Sequence, residues 1–141
     1  MPAQFTYSRR VQFAETDMAG IVHFSNYNRY MEETEHAYFR SLGLAIVHEL
    51  ENGTILGWPR VRSSCNYTAP AFYNDVLEIG LQVVRKGVKS LTLSFQFRRG
   101  ATLVATGELK TVCCICRAGG KLESVPMPDL YNERIQELPA P

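Results

Sequence analysis

An α+β fold, one antiparallel five-stranded sheet wrapped around one long central helix, is predicted by three observations on the 141-residue sequence. Apolar residues recur at three- and four-residue steps over one long stretch before Gly43, alternate residues are apolar in several later runs, and glycine-containing turns separate those runs. The 3.6-residue period marks a helix with one buried stripe, and the two-residue period marks half-buried strands. Such a sheet has enough length to cover a five-turn helix on one face.

The elements follow in order. Phe5 to Glu15 contains alternating apolar positions and reads as an opening strand, and the pattern breaks around Asp17 to Gly20. From Phe24 or Ser25 to Leu42, Tyr27, Tyr30, Met31, Thr34, Tyr38 and Leu42 form a stripe, which predicts a helix capped by Ser25 or Asn26 and stopped at Gly43. Ala45 to Leu50 reads as an extension of that helix or a short second one. Arg60 to Thr68, Val76 to Arg85, Val88 to Arg98 and Ala101 to Arg117 read as strands. Lys86-Gly87 and Arg99-Gly100 are the turns between the last three, and Gly107 is a candidate bulge. Met127 to Leu138 carries a short helical pattern.

Length fits a single domain over residues 1–141. Fifteen basic against fourteen acidic residues leave a net charge of +1, which gives no bulk attraction to nucleic acid or to an acidic membrane. The first ten residues lack the apolar core of a signal peptide, and no apolar run reaches the roughly 18 residues of a membrane span. A cytoplasmic protein is the expectation. Cys65, Cys113, Cys114 and Cys116 contain no CxxC pair, and alternation on a strand turns Cys113 away from Cys114 and Cys116. They read as strand thiols, with neither a disulfide nor a metal site, and no cofactor is expected.

The chemistry concentrates in Phe13 to Tyr30, FAETDMAGIVHFSNYNRY. Asp17 stands ahead of the helix start, separated from it by a turn and a short apolar segment. A carboxylate there commonly accepts free backbone N–H groups and complements the helix dipole. The alternative is catalytic: helix-start N–H groups polarise a carbonyl while Asp17 attacks its carbon or activates water. Spacing alone favours the capping reading, while the distance in sequence from Asp17 to the helix and the better cap at Ser25 or Asn26 keep the catalytic one open.

Asp17-Met18-Ala19-Gly20-Ile21-Val22-His23-Phe24-Ser25-Asn26-Tyr27 resembles the D-x-x-G-[IV]-V-x-[YFH]-x-N-Y signature of hotdog-fold acyl-CoA thioesterases of the 4-hydroxybenzoyl-CoA thioesterase family. Tyr67-Thr68-Ala69-Pro70-Ala71 followed by Asp75-Val76-Leu77 is similar to a second segment of that family, and Lys89-Ser90 falls where a basic-Ser pair begins a strand. The resemblance implies a hotdog fold, hydrolysis of an acyl-CoA substrate, and a homodimer or homotetramer with sites at subunit interfaces. It implies Asp17 as catalytic carboxylate and the Phe24 N–H as the group that polarises the thioester carbonyl.

Gly20, His23, Asn26, Tyr27 and Trp58 are then candidates to shape the substrate site, and Gly20 allows a tight turn. His23 is one residue ahead of the position where some relatives carry a histidine, so that role is not transferred to it. Arg85, Lys86, Lys89 and Ser90 are candidates for the phosphate-bearing end of coenzyme A. The alternatives are a non-catalytic acyl-CoA-binding module and a hotdog dehydratase or hydratase.

Overall fold

The computed structural model describes residues 3–117 and 119–138. The chain runs β1 (Phe5–Arg10), a 3-10 turn (Phe13–Glu15), α1 (Ser25–Ser41), β2 (His48–Glu49), β3 (Ile55–Gly57), β4 (Arg60–Tyr67) and β5 (Val76–Lys86). It continues through β6 (Ser90–Arg99), β7 (Thr102–Val112), β8 (Cys114–Arg117), β9 (Lys121–Ser124) and α2 (Asp129–Arg134). A five-stranded antiparallel sheet in the order β1-β5-β6-β7-β4 packs one face on α1, the architecture expected from the two periodicities.

Alternation decides which side chains meet the helix. Leu77, Ile79, Leu81 and Val83 of β5 and Leu91, Leu93, Phe95 and Phe97 of β6 are buried, while their strand neighbours are less so. Each fully buried side chain of this size stabilises the fold by about 2 kcal/mol. The facing stripe of α1 contains Tyr27, Tyr30, Met31, Thr34, Tyr38 and Phe39. At the end of the helix Gly43 takes φ +71, with the Leu44 N–H bonded to the Phe39 carbonyl and the Gly43 N–H to the Arg40 carbonyl, a Schellman stop.

Gly107 is not a bulge. Its register with Cys65 and Phe95 is regular, and the irregularities lie instead at Arg60/Arg62, Val83/Arg85 and Phe97/Arg98. A Cβ at Gly107 would lie 2.5 Å from Met31 Sδ, so the glycine lets α1 approach the sheet.

Three further expectations are corrected. The opening strand ends at Arg10, because Gln12 to Glu15 turn into a 3-10 helix closed by the Gln12 N–H on the Glu15 carboxylate. Ala45 to Leu50 forms no helix; His48–Glu49 pairs with β3 instead. The last long strand breaks at Cys113, whose N–H bonds the Lys89 carbonyl, and β8 departs into a second sheet in the order β2-β3-β8-β9. All four cysteines are free. No helix among the described residues is long and apolar enough to cross a membrane.

Candidate active site

Between the 3-10 turn and α1 the chain closes a small loop that carries Asp17. Thr16 bridges Val22, the Asp17 N–H bonds the Ile21 carbonyl at 2.8 Å, and Gly20 turns the chain at φ +80. No atom would obstruct a Cβ at Gly20, so the left-handed backbone is what calls for glycine there. The Asp17 Oδ1 accepts the Ala19 N–H at 2.8 Å and the Ile21 N–H at 3.4 Å. Its Oδ2 has no protein donor among the described residues.

The helix start is capped neither by Ser25 nor by Asn26. Phe24 is already helical (φ −56, ψ −31), and His23 supplies the cap: its Nδ1 accepts the Ser25 N–H at 3.2 Å and lies 2.7 Å from the Ser25 Oγ. The Asn26 N–H bonds the His23 carbonyl and the Tyr27 N–H the Phe24 carbonyl. This leaves the Phe24 N–H as the amide of the first turn without a protein acceptor among the described residues. Its ring stacks on the His23 ring, centroids 4.6 Å apart, and is 64% exposed.

Asn26 looks inward. It is buried, and its Nδ2 donates to the Glu15 carbonyl at 2.8 Å, anchoring the helix start to the 3-10 turn. Tyr27 is buried with its ring stacked on Phe97 at 5.3 Å and tilted against Tyr67 at 5.2 Å. Burial pushes its hydroxyl up to about 12, so it stays a neutral hydrogen-bonding group.

A cavity of about 670 Å³ opens here, walled by Asp17, Ile21, Phe24, Tyr27, Tyr67 and Pro70. Its size and its mixture of apolar walls with a few polar groups suit a small-molecule site. The far wall is held by the second motif of the sequence. Asp75 Oδ2 accepts the Phe72 N–H at 2.8 Å and Arg99 Nη1 donates to the Pro70 carbonyl at 2.6 Å, while the Val22 N–H bonds the Ala71 carbonyl.

Trp58 does not border this cavity. It is buried with its ring tilted at 6.0 Å from Tyr131 of α2 and edge-on at 5.6 Å from Phe39 of α1. Arg85, Lys86, Lys89 and Ser90 also lie apart from the cavity walls in this chain. The Lys86 Nζ donates to the Asn132 and Ile135 carbonyls at 2.8 and 3.0 Å, closing the end of α2. Lys89 is exposed, the Ser90 hydroxyl lies over Gly87, and Arg85 shares an open cleft with Arg62, Thr92 and Lys110.

Sequence reasoning missed Glu15 and Arg9, and read Tyr30 as a residue of the buried helix stripe without its bond to Glu15. The Glu15 carboxylate accepts from the Gln12 N–H (2.7 Å), Arg9 Nη1 (3.0 Å), Arg9 Nη2 (2.5 Å) and the Tyr30 hydroxyl (3.0 Å). Burial pushes this carboxyl up, but the Gln12, Arg9 and Tyr30 donors together outweigh it and hold the group below the usual carboxylate range. The Gln12-to-Glu15 spacing of a capping box was the one local signal for it.

Asp17, with one unpartnered carboxylate oxygen, and Phe24, whose N–H lacks a protein acceptor among the described residues, border one cavity; groups of these kinds can attack and polarise a carbonyl. The family model for the thioesterase-like superfamily matches residues 11–135. The chain belongs to that superfamily. A 4-hydroxybenzoyl-CoA thioesterase of Pseudomonas sp. (strain CBS-3) is 36% identical over 81 residues, 56% of this chain and 57% of the relative. A solved structure from Aquifex aeolicus superposes with a TM-score of 0.81 at 34% identity, covering 94% of this chain and 99% of that one. The structure of a gentisyl-coenzyme A thioesterase superposes at 0.77 with 31% identity, covering 90% and 98%. The thioesterase-like chain is thus a hotdog-fold thioester hydrolase of the acyl-CoA thioesterase kind.

Proposed function

We propose that the protein hydrolyses an acyl-CoA thioester to the free acid and coenzyme A, with Asp17 as nucleophile or general base and the Phe24 N–H as oxyanion donor. The observation that carries this is the Phe24 amide, left without a protein acceptor on the cavity that Asp17 borders. The thioester carbonyl oxygen accepts this N–H and gains from the α1 dipole as negative charge builds on it. Asp17 Oδ2 either adds to the carbonyl carbon, forming an anhydride as the CoA thiolate leaves, or removes a proton from the attacking water.

Gly20 and His23 shape the loop and helix start, Asn26 anchors them, and Tyr27 forms the acyl wall. An aromatic acyl group fits the ring faces of Phe24, Tyr27 and Tyr67, in keeping with the relatives named for 4-hydroxybenzoyl-CoA and gentisyl-CoA.

The site is completed by a second copy of the chain. The eight residues of β4 lack a partner strand on their outer side among the described residues and are mostly exposed, with Val61 58% and Tyr67 51% accessible. An edge of this length is ordinarily covered. A homodimer joined there, alone or within a tetramer, brings Arg85, Lys89 and Ser90 of one copy toward the cavity of another for the CoA phosphates.

Thiol release from a panel of aromatic and aliphatic acyl-CoAs, followed with a thiol reagent, tests the reading. Turnover of aromatic esters is expected. No release from any ester contradicts hydrolysis and returns the chain to an acyl-CoA-binding module.

A further inference from the structure

Glu15 touches neither the cavity nor any group that reacts, yet its carboxylate and its main-chain carbonyl together accept six hydrogen bonds. Its carboxylate is held by Gln12, Arg9 and Tyr30, as described above. Its main-chain carbonyl accepts the His23 N–H at 2.9 Å and the Asn26 Nδ2 at 2.8 Å. Asn26 and Tyr30 are one turn apart on the buried face of α1, so a single helix face takes hold of Glu15 by its backbone and its side chain together.

The loop from Thr16 to Val22 leaves from Glu15 and returns to it at His23, and Asp17 stands on that loop. The Phe24 N–H follows directly after His23. Fixing Glu15 therefore fixes both ends of the segment that presents the carboxylate and the amide. The outer anchor is rigid as well: the Arg9 Nε donates to Glu33 Oε1 at 2.8 Å, Glu33 also accepts the Tyr7 hydroxyl at 3.3 Å, and the Arg9 guanidinium lies over the Tyr30 ring at 5.0 Å. A carboxylate with only 16% of its side chain exposed is costly to desolvate, and a hydrophobic residue would pack the space without that cost. What the charged network adds is direction. Catalysis is sensitive to that, because a displacement of about 1 Å between reacting groups costs on the order of a hundredfold in rate.

We propose that Glu15, clamped by Arg9, Tyr30 and Asn26, is a positioning residue for thioester hydrolysis, holding the Asp17 loop in register with the Phe24 N–H. The inference rests on the assignment of Asp17 and Phe24 above.

The test is steady-state kinetics of the full chain on an acyl-CoA ester that the wild type cleaves, with Glu15→Gln, Tyr30→Phe, the double variant and Asp17→Asn measured side by side. Glu15→Gln is expected to lower kcat tenfold or more with KM within twofold of wild type. Tyr30→Phe, which keeps the ring and its packing and so guards against failure to fold, is expected to lower kcat about threefold. The double variant should be no slower than Glu15→Gln alone, since both act through one contact. Unchanged kcat in folded Glu15→Gln and Tyr30→Phe, alongside an inactive Asp17→Asn, overturns the positioning role and leaves the assignment of Asp17 standing. A rise in KM at constant kcat overturns it too. Wild-type activity in Asp17→Asn overturns both, because no reacting carboxylate is then left to position.

Discussion

His23 Nδ1 takes the Ser25 N–H at 3.2 Å, and by doing so it separates the amides at the start of α1 into those with protein acceptors and the one at Phe24 without. A capping side chain of this kind typically contributes about 1 kcal/mol to a helix. Replacing it by alanine is expected to lower melting temperature modestly and kcat several-fold, as the first turn frays and the Phe24 N–H loses its aim. Asparagine, a strong capping residue, should restore most of both. If His23→Asn is as slow as His23→Ala while equally stable, the imidazole acts on the substrate and not on the helix.

Gly107 is the point where Met31 of α1 meets β7. An alanine methyl there would sit 2.5 Å from the sulfur of the fully buried Met31 and 3.4 Å from the Ser64 carbonyl, so the end of the Met31 side chain has to shift within the core. Overpacking of this kind costs about 1–3 kcal/mol. Urea unfolding of Gly107→Ala should show the loss in its midpoint with an unchanged slope. A neutral substitution would mean that the Met31 side chain turns aside without loss of packing.

Glu35 sets a pH dependence of stability. Its side chain is fully buried, with Arg60 Nη2 at 2.5 Å and Nη1 at 3.2 Å from β4, and with Glu32 and His36 beside it on α1. Burial raises its carboxyl to about 7 even against the Arg60 charge, from an ordinary value of 4.5. The folded chain thus binds a proton that the unfolded chain releases between those values. That stabilisation, on the order of 3 kcal/mol, is complete below pH 4.5 and is lost as pH rises through about 7. Melting temperature should therefore carry a component that falls between pH 5 and pH 7.5, and Glu35→Gln should remove it. An identical slope in the variant would contradict the assignment.

The helix and the five-stranded sheet were legible because burial writes a period into the residues: the stripe from Tyr27 to Tyr38 and the alternations of β5 and β6 report which faces leave water. The second sheet was not, since β2 and β3 have two and three residues and β8 follows β7 with only Cys113 between. Asp17 and Phe24 stood out through their motif. Glu15 did not, because its value lies in donors brought from Arg9 on β1 and Tyr30 on α1, and no local pattern announces partners six and fifteen residues away. The cap was misassigned for a related reason: Ser25 and Asn26 are the better capping residues by type, but Phe24 is already helical and the imidazole of His23 reaches the amide first.

The central claim is that Asp17 carries the reaction on the cavity shared with the Phe24 amide, and Asp17→Asn tests it most directly. The substitution keeps size and the loop hydrogen bonds to Ala19 and Ile21 while removing the charge that attacks or accepts a proton. With an acyl-CoA ester cleaved by wild type, kcat is predicted to fall about a thousandfold with KM and the circular dichroism spectrum little changed. A folded Asp17→Asn protein with near wild-type kcat would contradict the account.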